Sequence, residues 1–154
     1  MSATWDLMLI VMTGIAATTA MTSFLYIIHW TGFANGDMVR AIGSAITGRE
    51  EKSLLPGMAF HFIAGILFAA LYIYTLSFIP DMARGSPGRV ARLTELGALL
   101  GFVQGLIVSF GLVIAVAEHH PIDRFREAGF RVALVHIVAH VIFGAVVGMM
   151  AAMI

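Results

Sequence analysis

Four long apolar runs, separated by polar connections, organise this chain. A helix needs about 20 apolar residues to cross the roughly 30 Å hydrocarbon core of a bilayer, and each run is long enough. Backbone polar groups find no other partner in lipid, so each run is predicted to be a helix. The four predicted spans are Leu7–Trp30, Leu54–Ile79, Leu96–Ala117 and Phe130–Ile154.

These spans predict an all-α fold. The chain should form one transmembrane domain, residues 1–154, built as an antiparallel four-helix bundle. Four crossings place both termini on one membrane side, here called side A. The first and third connections, residues 31–53 and 118–129, then lie on the opposite side, called side B.

The first connection contains a second periodic pattern. Met38, Ile42 and Ile46 recur every four residues among polar neighbours. This spacing is typical of an amphipathic helix and predicts a short interfacial helix on side B. An ordinary loop with a few apolar residues is an equally good interpretation.

Composition strengthens the membrane assignment. Of the 154 residues, 60% are hydrophobic and 12% are charged, whereas a soluble domain averages about 25% charged residues. The formal net charge is zero, so the chain has no basic face for nucleic acid. Because cysteine is absent, disulfides and thiolate metal sites are excluded. The chain is therefore predicted to be an integral membrane protein that contacts the lipid bilayer.

All six histidines are expected near side B, because each lies toward that end of its span or in a side B connection. They are His29, His61, His119, His120, His136 and His140. His29, His119 and His120 fall at the rim, where water can satisfy their ring nitrogens. The other three fall inside spans, where ionisable residues are candidates for function.

Glycines recur at four-residue spacing on two spans. They are Gly97, Gly101 and Gly105 in the third span and Gly144 and Gly148 in the fourth. Small residues at this spacing let helix backbones approach closely, which drives association in membranes. The stripes predict either tight packing inside this bundle or docking against a partner subunit.

The second and fourth spans share a short pattern. In each, an isoleucine lies two residues and a glycine four residues after a histidine, starting at His61 and His140. Both spans run from side B to side A, so the match suggests a parallel repeat of two hairpins. In a square bundle, His61 and His140 would approach one central space from opposite corners.

The motifs His61-x3-Gly65 and His140-x3-Gly144-x3-Gly148, with the glycine-rich third span, resemble a domain-of-unknown-function family. Its members are small four-span bacterial membrane proteins. The resemblance covers most of the chain and implies the four-span fold, but it implies no catalytic role, because the family has no established activity. For such a protein we expect the bacterial cytoplasmic (inner) membrane.

The buried histidines form a candidate ligand site. His136 and His140 are four residues apart and share one helix face, a spacing that suits two imidazole ligands of one ion. His61 lies at a matching depth in the second span, and Glu118 lies at the side B mouth of the bundle. These four residues are the candidate metal ligands, and the three histidines are the candidate cofactor ligands.

Several interpretations of this cluster remain open. The histidines could hold the bundle together by hydrogen bonds to Ser109, Gln104 or backbone carbonyls. A pair of them could bind haem b between helices. The imidazoles with Glu118 could bind copper, zinc or iron. A role in proton transfer or transport is a further alternative, and the sequence leaves the identity of any cofactor unknown.

No phosphate-binding loop or nucleophile elbow is present in the sequence, which favours a protein that is not an enzyme. The leading hypothesis is a non-catalytic subunit or assembly partner of a larger membrane complex. It rests on the minimal connections and on glycine stripes that exceed what one small bundle requires. Its partners would be other membrane subunits or further copies of this chain. The alternative is a haem b- or metal-binding membrane protein, and a stand-alone carrier is supported only by the possible repeat.

Overall fold

A computed structural model describes residues 3–79, 86–111, 117–127 and 129–153 of the chain. Four helices in this part are long and apolar enough to cross a membrane, and they confirm the predicted all-α, antiparallel four-helix bundle. The helices are α1 (Ala3–Trp30), α2 (Met38–Thr47), α3 (Leu54–Ser77), α4 (Arg89–Gly111), the single turn α5 (Ala117–His119) and α6 (Phe130–Ala151). The protein is therefore a small integral membrane protein.

The third span differs from its prediction at its start. The apolar run predicts a beginning at Leu96, but α4 begins seven residues earlier, at Arg89. A charged residue ends an apolar run without ending a helix, because long cationic side chains reach the membrane surface from the first turns. Residues 112–116 of the predicted span lie outside the described residues, and its last residue, Ala117, is the first residue of α5.

The helices pack unequally around α6. This helix lies along α4 and also contacts α1 and α3, while α1 packs on α3. The α3 and α6 helices, predicted to occupy opposite corners of a square, touch directly: the Tyr72 and Phe143 rings meet edge to face with centroids 5.8 Å apart. By contrast, α3 and α4 touch only loosely, and this side of the bundle leaves space for a cavity.

The glycine stripes bring α4 and α6 into backbone contact. A Cβ atom at Gly101 would clash with the carbonyl oxygen of His140, and one at Gly144 would clash with that of Gly97. Both stripes therefore serve packing within this chain, one of their two predicted uses. The glycine stripes, which were one basis for the partner-subunit hypothesis, are thus explained by the contact between α4 and α6.

The helix predicted in the first connection is present as α2. The Asp37 side chain caps its first turn by accepting from the Arg40 backbone N–H at 3.3 Å. Gly48 ends it in the left-handed conformation, with φ 67°, and donates to the Ser44 carbonyl. Its buried face includes Val39, and Ile46 is exposed. Met38 is buried and Ile42 packs against the core, as the apolar periodicity predicts, so the packed face of this helix departs from the predicted one only at Ile46.

The tight contact between α2 and α3 depends on two further glycines. A Cβ atom at Gly43 would clash with the Ser53 carbonyl oxygen, and one at Gly57 would clash with that of Val39. The two backbones are therefore in van der Waals contact at the side B end. As a result, α2 lies against the side B end of α3, and its first residues, Met38 and Val39, are buried.

Candidate functional site

His61 lies in the second turn of α3, is 6% exposed, and faces α1. Its Nε2 atom is 3.0 Å from the Thr22 hydroxyl oxygen, and that hydroxyl is 2.7 Å from the Thr18 carbonyl oxygen. The single hydroxyl proton of Thr22 goes to the carbonyl, which can only accept. His61 therefore donates Nε2–H to Thr22, and a neutral His61 keeps an unprotonated Nδ1.

His136 and His140 lie one turn apart on α6, and both are at least 95% buried. Each donates Nδ1–H to the carbonyl oxygen four residues earlier, that of Val132 or His136, at 2.7 Å. A neutral imidazole has one N–H, so Nε2 of each ring is unprotonated. A backbone hydrogen bond at one ring nitrogen also orients the other, as is usual for metal-binding histidines.

His61 and His140 line the same cavity, which has a volume of about 220 Å³ and is partly open. It occupies the space beside the loose α3–α4 contact. Its lining comes from all four spans and α2: Met21, Met38, Ile42, Phe60, His61, Ala64, Gly65, Phe68, Gln104, Val108, His140 and Phe143. Two imidazoles and one amide are the polar side chains of this wall. The structure thus brings one histidine from each half of the predicted repeat to a common space.

The other two candidate ligands lie elsewhere. His136 is buried on α6 but does not line this cavity, and Glu118 is exposed on α5. Within the described ranges, no three His, Asp or Glu side chains are close enough together to hold a metal ion. The four predicted ligands therefore do not form a single cluster here, and the pair that shares a space is His61 and His140.

The polar residues of α4 bond across helices, as the sequence suggests, but not to the histidines. Gln104 accepts a hydrogen bond from the Tyr72 hydroxyl at 2.6 Å, which links α3 to α4 at the cavity wall. Ser109 donates to the Ala133 carbonyl of α6 at 3.0 Å. In the part of the chain that the structure describes, neither side chain is hydrogen-bonded to His61 or His140.

A polar cluster that the sequence does not predict joins the two side B connections. Asp37, 5% exposed, binds the Arg124 guanidinium at 2.9 Å and accepts from the Tyr26 hydroxyl at 3.0 Å. Arg124 also binds Glu50 at 2.6 Å. We call these four residues the side B clasp. The available signal was an acid directly before a predicted helix, since an N-cap is often Asp, but nothing in the sequence indicates its arginine partner.

His120 is buried, and the prediction that water satisfies it at the rim is wrong. It is 2% exposed. Its Nδ1 accepts from the Ile122 backbone N–H at 3.0 Å, which leaves Nε2–H to donate to the Ala41 carbonyl, also at 3.0 Å. The side chain thus ties the third connection to α2. Both ring nitrogens are used, so His120 has a structural role.

His120→Ala should lower the free energy of unfolding by about 1–3 kcal/mol, because it leaves buried polar backbone groups without a partner. The neighbouring His119 is exposed, so His119→Ala is the matched control and should have little effect. Thermal unfolding of both variants in detergent measures the difference. Equal stability of the two variants would mean that the bonds of His120 contribute nothing.

The fold and the cavity together define a small four-span membrane protein with two histidines from different helices in one intramembrane space. Comparison with protein-family models, curated proteins and solved structures finds no match for this chain. Its function is therefore inferred from the site alone.

Proposed function

We propose that this integral membrane protein binds a metal ion inside its bundle through His61 and His140. The observation that carries the proposal is that these two imidazoles line one cavity, and that the proton of each is already donated to the protein. Each ring therefore offers an unprotonated nitrogen. Imidazole in this state is the commonest protein ligand of transition metals.

The size of the cavity favours an ion over a large cofactor. Sites for drug-sized ligands occupy roughly 300–1,000 Å³, whereas this cavity has about 220 Å³. A porphyrin between α3 and α6 would also have to separate helices that already touch through Tyr72 and Phe143. We therefore prefer a single ion to the haem b considered from the sequence.

Metal binding by purified protein in detergent tests the proposal. The wild type should bind one transition-metal ion per chain, measured by elemental analysis after equilibration. His61→Ala and His140→Ala should each weaken binding by more than about 100-fold, because the loss of a direct ligand exceeds the 10–100-fold cost of disturbing a ligand's support.

His136→Ala is the matched control. His136 lies on the same helix as His140, is similarly buried, and also donates its Nδ1–H to the carbonyl oxygen four residues earlier. Unlike His140, it does not line the cavity. It should therefore change affinity little. An equal loss in His136→Ala and His140→Ala would contradict the proposed pair, and a Soret band in the purified protein would instead favour haem b.

The role as a non-catalytic subunit of a larger membrane complex stays a prediction. Its remaining support is the short connections, because the glycine stripes pack α4 against α6. Native electrophoresis in mild detergent tests it: a co-purifying membrane partner would support it, and a single small particle would argue against it. Membership of the four-span bacterial family and location in the inner membrane are likewise proposals, supported by the motifs in the second and fourth spans.

A further inference from the structure

Two methionines share the cavity with the two histidines. Met21 of α1 is 5% exposed and Met38 at the start of α2 is 7% exposed, and both line the space that His61 and His140 line. Methionine often fills gaps in apolar cores. Here, however, both methionine side chains line the same small cavity as two neutral imidazoles, so four uncharged side chains with donor atoms for a metal share one space.

The charge of this cavity limits the ion that it can hold. Its lining, within the described part of the chain, contains no acidic side chain, and the exposed Glu118 does not reach it. Uncompensated charge in an apolar membrane interior is costly, and the cost rises with the charge of the ion. A neutral ligand set therefore favours a monovalent over a divalent ion.

The chemistry of the donors points the same way. Thioethers are soft ligands that select monovalent copper, and imidazole also binds copper well. Zinc prefers thiolate, imidazole and carboxylate ligands, and this cavity supplies only imidazole from that set. We propose that the ion held by His61 and His140 is monovalent copper, and that Met21 and Met38 complete its coordination. This inference rests on the metal-binding function proposed above.

The test compares monovalent copper with a divalent ion on the same purified full-length chain. Copper is added anaerobically under reducing conditions against a chromophoric copper chelator, and cobalt is added in a separate titration. Wild-type protein should bind one copper ion more tightly than cobalt. Met21→Leu/Met38→Leu should weaken copper binding by at least about 10–100-fold while leaving cobalt binding unchanged.

Leucine is a close match in volume for methionine, so these variants are expected to fold. Met12→Leu is the matched control, because Met12 lies on α1 like Met21 but is 54% exposed. It should bind copper as the wild type does. X-ray absorption of the copper-loaded wild type should show sulfur among the direct ligands, and this signal should be absent from the double variant.

The outcomes separate this inference from the function on which it rests. Unchanged copper affinity in the double methionine variant would overturn the thioether ligands. Tighter binding of cobalt than of copper by the wild type would overturn the choice of ion, while histidine-dependent metal binding would still stand. Failure to bind either ion in folded protein would overturn both proposals.

Discussion

Gly101→Ala should lower the free energy of unfolding by about 3 kcal/mol, the top of the usual range for overpacking. The added Cβ would meet the backbone carbonyl of His140 and the Cα of Val141. Backbone atoms of a facing helix cannot rotate away as a flexible side chain can. Relief therefore requires α4 and α6 to separate, which loses contact along the whole glycine stripe.

Gly111→Ala is the control for this substitution. Gly111 is the last residue of α4, and a Cβ atom built there meets no described atom from outside its own stretch of helix within 4 Å. Alanine also has a higher helix propensity than glycine, so this variant should be as stable as the wild type or more so. Unfolding of both variants in detergent, followed by far-UV circular dichroism, gives the comparison. A stable Gly101→Ala protein would show that the α4–α6 contact is looser than described.

The same substitution should disturb the cavity. The carbonyl that faces Gly101 is that of His140 itself, so a shift of α6 moves the His140 imidazole relative to the cavity that it shares with His61. Metal affinity should therefore fall in Gly101→Ala together with stability. The glycine stripe in this way links helix packing to the proposed ion site.

The sequence predicts the bundle well. Each apolar run is long enough to cross the bilayer, and in lipid the backbone of such a run must form a helix to satisfy its polar groups. The start of α4 at Arg89 could not be predicted in the same way. The length of an apolar run gives the part of a helix that lies in the hydrocarbon core. The helix itself can continue into the membrane interface, where polar residues remain helical. The packed face of α2 was predicted at Met38 and Ile42 but not at Gly43, because a glycine adds nothing to an apolar pattern although its backbone packs directly on that of Ser53.

The candidate site was predicted in part. The position of a histidine along its predicted span gives its depth in the membrane. This depth correctly identified His61, His136 and His140 as buried. Depth does not give the direction in which a side chain points around its helix. That direction separates His140, which lines the cavity, from His136, which does not. The methionines were missed because one buried methionine looks like any other until the cavity lining is known.

The side B clasp is connected to the cavity through α2, which Asp37 caps. Met38 and Ile42 of this helix line the cavity, and α2 is held by the bonds of Asp37 at its start and of His120 to Ala41 in its middle. Two connections far apart in sequence thus hold α2 in place at the cavity wall. The polar residues of the clasp lie outside the proposed ligand set, but Asp37 directly precedes Met38 and caps the helix that carries it.

Asp37→Ala should therefore cost about 3 kcal/mol of stability, the lower end of the range for removing one partner of a buried ion pair. The lower end applies because the Arg124 side chain is 38% exposed and water can partly solvate it. The substitution also removes the cap of α2 and the acceptor of the Tyr26 hydroxyl. Thermal unfolding in detergent measures the loss, and a weaker affinity for metal should accompany it as Met38 loses its position.

Asp123→Ala is the matched control, because Asp123 also pairs with an arginine, Arg126 at 3.2 Å, but its side chain is 93% exposed. Surface pairs of this kind contribute little to stability. This variant should therefore unfold at the same temperature as the wild type and bind metal with the same affinity. If Asp37→Ala behaved like Asp123→Ala in both measurements, the clasp would not position α2. If Asp37→Ala lost stability but kept full metal affinity, Met38 would not depend on the clasp for its place at the cavity.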